Sequence, residues 1–357
     1  MRMYTTWTLL LSLCLYALPT TTALAASKEQ VIINWVNYLS PTLVTKFESR
    51  FDANVTEIYY PSDEQRTQML VNNSAVGYDL ILTSGIDLAF YAKRGWLRPL
   101  NPDAIPNLRH IAAIWRNAFQ DIHAYGLPFF WGTVGILYRS DLVLEPISHW
   151  LQLYQPAAEL QGRIGMIADG RERVGMALKA LNYPLDSVDN IELDAVEALV
   201  VAQQSHVRSY DCLNLDTDSE IISGEIWASM IYSGDALMVQ EHNAKLRYQV
   251  PEEGTNLWVD YFVLGAKARE PALASAFLNF INEPENAAEM VQYVYYATPN
   301  KAAEKYLPAE FLANQTIYPP NGDARAFRVL STLKAARPEA QKCDQRPYPA
   351  LRLCDAT

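Results

Sequence analysis

Val31-Ile32-Ile33-Asn34-Trp35, then Val36-Asn37-Tyr38-Leu39, then Ser40-Pro41, set the pattern from which the fold is read. The β-branched run suits a buried strand over 31–35. Ser40 is placed to cap a helix and Pro41 to occupy its first turn, which predicts a helix over 42–51. The same succession recurs downstream. A strand over 54–60 leads into Ser62-Asp63-Glu64-Gln65, a capping-box start for a helix to 72. A strand over 78–83 precedes a helix over 86–94. After Leu127-Pro128-Phe129-Phe130-Trp131-Gly132 a new strand is expected over 134–138, with a change of lobe between them. A second series follows: a strand over 163–168, helices over 171–181 and 193–204, strands over 225–232 and 257–264, and a helix over 272–281. Strands alternating with helices predict an α/β chain built on open sheets with crossover helices. No internal repeat or low-complexity tract interrupts the series.

Composition narrows the function. The chain has 357 residues, 50% hydrophobic and 19% charged, enough for two lobes with their own cores. A formal net charge of −11 argues against nucleic acid and suits a cationic partner. Aromatics are plentiful, with 21 Tyr and 8 Trp. At the N-terminus Arg2, an apolar core over 7–18, Pro19 and Ala23-Leu24-Ala25 read as a signal peptide over 1–25, cleaved near Ala25. Cys14 lacks the small preceding residue of a lipidation site. In an oxidising compartment Cys343 and Cys354 would pair, leaving Cys212 as the odd thiol. The five histidines never fall four apart and none sits near a cysteine pair, so neither a metal nor a cofactor is expected. G-x-S-x-G, P-loop and G-x-G-x-x-G motifs are absent, so the chain does not read as an enzyme.

In open α/β sheets ligands lie beyond the carboxyl ends of the strands. Those ends carry Trp35-Val36-Asn37-Tyr38, Ser84, Asp169-Gly170-Arg171-Glu172 and Tyr232-Ser233-Gly234-Asp235, joined by Trp258-Val259-Asp260 at the opening of its strand. Carboxylates beside aromatic faces suit ammonium groups, through charge-assisted hydrogen bonds and cation–π attraction. A polycation would match best. The alternative is core aromatics plus helix-capping acids: Glu172 lies in a first turn, and Asp235 could cap a helix running toward His242.

Asn34-Trp35-Val36-Asn37-Tyr38, Tyr78-Asp79 through Ser84, Leu127 through Gly132, Asp169-Gly170-Arg171-Glu172 with Met176-Ala177-Leu178, Gly224-Glu225, Trp258-Val259-Asp260, Phe280 through Glu285 and Thr298-Pro299-Asn300 follow one another along the chain. In order and spacing they resemble the periplasmic spermidine/putrescine-binding proteins, over 31–319. The resemblance implies a two-lobed periplasmic binding protein fold of type II, each lobe a mixed sheet flanked by helices, with the ligand in the interlobe cleft. It divides the chain into a first lobe of 27–130 plus 259–304 and a second of 131–258 plus 305–357, hinged near 129–132 and Trp258. Trp35, Tyr38, Tyr232 and Trp258 would form an aromatic box, Asp169 and Glu172 would hold one or two amines, Asp260 a terminal amine, and Ser84 would add a hydroxyl.

Departures from that family bear on the ligand. Asn37 stands where an acid is usual, Ile86 where spermidine binders carry an aromatic, and Tyr232 where Trp is usual. Asp235 is an added acid that looks more like the putrescine branch. Four carboxylates, Asp169, Glu172, Asp235 and Asp260, suit a triamine such as spermidine or norspermidine better than a diamine. A putrescine-type receptor is the alternative. The resemblance implies a monomer in the periplasm that serves one of two membrane partners. One is an inner-membrane ABC permease; the other is a GGDEF/EAL signalling receptor, as in norspermidine-responsive members tied to biofilm control.

Overall fold

The structure, a computed structural model, describes residues 28–118 and 123–319 and the backbone of 327–328. The expected signal peptide, 1–25, and Cys343 and Cys354 lie outside the described residues. Among the described residues eleven strands form one sheet: β1 (Lys28–Asn34), β2 (Ala53–Tyr59), β3 (Leu80–Ser84), β4 (Leu97–Arg98), β5 (Gly126–Arg139), β6 (Ile164–Gly165), β7 (Val207–Ser209), β8 (Ala228–Tyr232), β9 (Leu246–Gln249), β10 (Thr255–Gly265) and β11 (Phe327–Arg328). The main path runs β2-β1-β3-β10-β5-β8-β6-β7. Pairing is parallel at both wings, where β1 joins β2 and β3, and β6 joins β7 and β8. In the middle it is antiparallel, from β3 to β10, β10 to β5 and β5 to β8.

Local chemistry accounts for the first wing. Ser40 accepts from the Leu43 amide and Pro41 opens helix α1 (Pro41–Phe51), which buries Leu43 and Phe47 against the sheet. Ser62 accepts from the Gln65 amide to start α2 (Asp63–Asn73), and α3 (Leu88–Lys93) follows β3. Alternation along β1 sends Ile32 to one core, with Phe47, Phe262 and Phe277, and Ile33 to the opposite face, with Tyr91 and Val263. The second wing repeats the arrangement. Ile136 packs with Trp150, Met176 and Val196, while Leu137 packs with Ile221, Ile231 and Val239. Each wing is thus a lobe covered on both faces, as parallel strands require. Helices α4 (Gly170–Ala180), α5 (Asn190–Gln203) and α6 (Ser233–His242) belong to the second lobe, and α7 (Pro271–Ile281) and α8 (Pro284–Val294) to the first.

Three expectations are corrected. The strand expected over 134–138 is part of the longer β5, whose 14 residues carry the chain from one lobe to the other without a break. Trp258 and Asp260 sit inside β10 and not at its opening, because the strand begins at Thr255, where it pairs with β11. Leu307, Phe311 and Ile317 join the core around Phe277, so 305–319 pack with the first lobe, while β11 pairs with Thr255 and Asn256 at the start of β10.

Candidate functional site

The carboxyl ends of the parallel strands in both lobes open on one cavity of about 890 Å³. Trp35, Tyr38, Ser84, Asp169, Glu172, Tyr232, Asp235, Trp258 and Asp260 all line it. Trp258 and Asp260 reach it together because they stand two apart on β10, and Asp260 is paired across the ladder with Ser84 at the end of β3. Close approaches of the backbone shape the walls. A Cβ at Gly132 would lie 2.5 Å from the Trp258 ring, and one at Gly234 would lie 2.6 Å from the Tyr296 ring and from the Val294 carbonyl. These two glycines let the aromatic rings lie against β5 and the first turn of α6.

The carboxylates fall into two groups. Asp260 accepts from the Tyr38 hydroxyl at 2.7 Å, and Asp235 accepts from the Tyr296 hydroxyl at the same distance. Asp235 is the third residue of α6, whose cap position is Tyr232, and its carboxylate is bonded by Tyr296 and not placed as the helix cap. The Tyr296 ring also meets Trp258 edge to face at 4.8 Å and Tyr38 at 5.9 Å, so the two pairs share one aromatic wall. In the second group Asp169 does cap α4, accepting from the Arg171 and Glu172 amides at 2.8 and 3.0 Å, while still lining the cavity. Capping acid and cavity wall are here one residue. Glu172 accepts from the Asn256 side chain at 2.7 Å. Burial is the leading cause that raises all four: it pushes Asp260 to about 7 and Asp235 to about 6. Asp169 and Glu172 also rise, by burial first.

Arg171 brings a cation to a collection that the sequence presents as almost purely acidic. Its guanidinium leaves α4 and donates to Asp87 at 3.3 Å, with Asp63 at 3.9 Å. Both acids are also bound, at 2.5 Å, by the fully buried Arg66 of α2. Two guanidinium groups and two carboxylates therefore form a balanced network from one lobe to the other. Among the described residues no cluster of three or more His, Cys, Asp or Glu is placed to hold a metal ion. Cys212 is a free thiol on the cavity wall.

The profile of the bacterial extracellular solute-binding proteins matches residues 42–319. The chain belongs to that family. This solute-binding protein is 26% identical over 312 residues to the norspermidine sensor of Vibrio cholerae, covering 86% of this chain and 85% of that one. It is also 26% identical over 288 residues to the spermidine/putrescine-binding periplasmic protein of Escherichia coli K12, covering 80% and 82%. A solved structure of a spermidine/putrescine ABC transporter protein from Listeria monocytogenes superposes with a TM-score of 0.80 at 28% identity. It covers 89% of this chain and 97% of that one. The two-lobed α/β architecture of the solute-binding protein is thereby the architecture of its relatives.

Sequence reasoning misses Tyr296, Asp63 and Asn256. Tyr296 arrives from beyond α8, outside any strand end, though its place just before Thr298-Pro299-Asn300 is a signal. Asp63 is hidden within the capping motif of α2. Asn256 shares the inward face of β10 with Trp258 and Asp260, so the period of two could have found it. Of the family departures, Asn37 adopts a left-handed backbone, φ 57°, and lines the cavity, and Ile86 lines a smaller cavity that shares Asp63, Ser84, Asp169, Glu172 and Trp258 with it.

Proposed function

We propose that this protein is a periplasmic polyamine receptor that closes two lobes on a triamine of the spermidine or norspermidine type. The observation that carries the reading is the charge balance of the cleft: Asp169, Glu172, Asp235 and Asp260 line it, while Arg171 is committed to Asp63 and Asp87. Buried carboxylates without counter-ions favour a ligand that brings several positive charges. Trp35, Tyr38, Tyr232, Trp258 and Tyr296 supply ring faces to the methylene segments and to the ammonium groups, and Ser84 supplies a hydroxyl. The protein acts as a binder and not as an enzyme. Calorimetric titration of the mature protein with putrescine, spermidine, norspermidine and spermine tests this. Triamine binding in the micromolar range or tighter is expected, and absence of heat with every amine would sink the reading.

A diamine receptor is the second reading, favoured by Asp235, and tighter binding of putrescine than of both triamines would establish it. The receiving partner is an ABC permease for uptake or a membrane GGDEF/EAL protein for sensing, and a relative named as a sensor and one named as a periplasmic binding protein are each 26% identical. Neighbouring genes separate the two: permease and ATPase for the first, a membrane signalling protein for the second.

A further inference from the structure

We infer that Asn256 and Glu172 form a dedicated acceptor pair for one ammonium group in a small cavity beside the main one, and so set the ligand length. The inference rests on the polyamine reading and adds to it a residue and a position. Beside the main cavity lies a second of about 30 Å³, lined by Asp63, Ser84, Asp169, Arg171, Glu172 and Asn256 among others. Asn256 faces this cavity and does not line the large one. The volume admits a single head group the size of water, hence one ammonium.

The acceptors are fixed by a hydrogen bond between them. The Asn256 Nδ2 donates to Glu172 Oε1 at 2.7 Å, which leaves Asn256 Oδ1 and Glu172 Oε2 as acceptors. Both atoms are buried, and neither has a hydrogen-bond partner among the described residues. Asn256 is 1% exposed and Glu172 9%. Two neighbouring buried acceptors without a donor call for a group with several N–H bonds. The guanidinium in reach, Arg171, is already engaged by Asp63 and Asp87. A carboxylate beside an amide oxygen also rejects anions, so the matching group is cationic.

Strand geometry then gives the length. Asn256, Trp258 and Asp260 follow one another on the same face of β10. Four residues of strand span about 13 Å, and side chains leaning inward shorten the gap between head-group sites. A triamine anchored at Asp260 reaches the Asn256 pair, with Trp258 against its middle segment. A putrescine anchored at Asp260 does not.

The test is calorimetry of wild type, Asn256→Leu and Asn256→Asp with norspermidine and with putrescine. The expected result is a loss of tenfold or more in norspermidine affinity for Asn256→Leu, with putrescine within twofold of wild type. Asn256→Asp, which keeps an acceptor, retains norspermidine binding. Equal losses for both amines would mean that Asn256 only orders the fold or Glu172, and unchanged norspermidine affinity would mean that it does not touch the ligand. Either result overturns the assignment. Wild-type protein that binds neither amine overturns the polyamine reading beneath it, which is a separate and recognisable outcome. A crystal structure of the wild-type complex decides the matter independently of whether the leucine variant folds. A ligand nitrogen within hydrogen-bond distance of Asn256 Oδ1 supports the assignment, and a water there sinks it.

Discussion

Asp260 illustrates how burial shapes a single carboxylate in the cleft. It is buried in the middle of β10, accepts from Tyr38, and is pushed to about 7 by burial. An ammonium that replaces lost water should bind it with a charge-assisted bond. Asp260→Asn, which keeps the shape and loses the charge, should cost about 2 kcal/mol or more of triamine binding, and isothermal titration measures it. Asp235→Asn is expected to lower triamine affinity as well, since Asp235 holds no helix end and faces Tyr296. Wild-type affinity in the Asp235→Asn protein would take that acid out of the site. Trp258 and Asp260 are legible in the sequence because a spacing of two on a strand fixes a shared face. Tyr296 is not, because no local pattern reports a ring brought to Asp235 by packing between residues 61 positions apart.

Among the elements, α4 has two tasks at its first turn. Asp169 caps it, and Arg171 extends from it to the acids at the starts of α2 and α3. The contacts of Arg171 with Asp63 and Asp87 join the lobes directly, side chain to side chain, and so favour the closed arrangement. Arg171 is partly exposed, so the effect is that of a screened ion pair, about 1 kcal/mol at most. Arg171→Gln is expected to widen the ligand-free molecule in small-angle scattering and to weaken triamine binding by roughly fivefold, because closure then costs more. Salt should reproduce part of the widening in the ligand-free wild type and none in the ligand-free variant. The helix starts at Ser40-Pro41 and Ser62 are legible because their chemistry is local. The full length of β5 is not, because Pro128 and Gly132 look like breakers. Its pairing shows why they are tolerated: Asp260 stands opposite Phe130 and Tyr261 opposite Pro128, so Phe129 is an extra residue in a bulge beside the proline.

At the scale of the molecule, the proposed ligand contacts on both lobes would make closure and binding one equilibrium. Saturating spermidine should shrink the scattering radius, and a radius that does not change would count against closure. The buried acids also tie stability to pH. Asp260 and Asp235 hold their protons to about 7 and about 6 in the folded state, against about 4 for a free carboxyl. Between those values the folded chain binds more protons than the unfolded one. The stabilisation is therefore complete below about pH 4 and is lost as pH rises through about 6 and 7. Ammonium ligands favour the ionised acids, so triamine affinity should rise over the same interval and binding should release protons. Melting temperatures of the ligand-free protein are expected to fall from about pH 5 to about pH 8, and saturating norspermidine should remove that fall. A flat ligand-free profile would mean that the cleft acids are solvated.

The passage of β5 and β10 between the lobes also bears on how an exported chain matures. The buried members of the core around Ile136, Trp150 and Met176 all fall between Val134 and Met230, with Tyr232 and Trp258 packed against them. The core around Phe47 needs both Ile32 and Ile317, and it cannot close until Phe262, Phe277 and Met290 have been delivered. A polypeptide that emerges from its amino end therefore completes the inserted lobe while the first still waits for its last third. During that interval the apolar face of β1 and α1 is uncovered, which makes this segment the natural place for a holding chaperone to act.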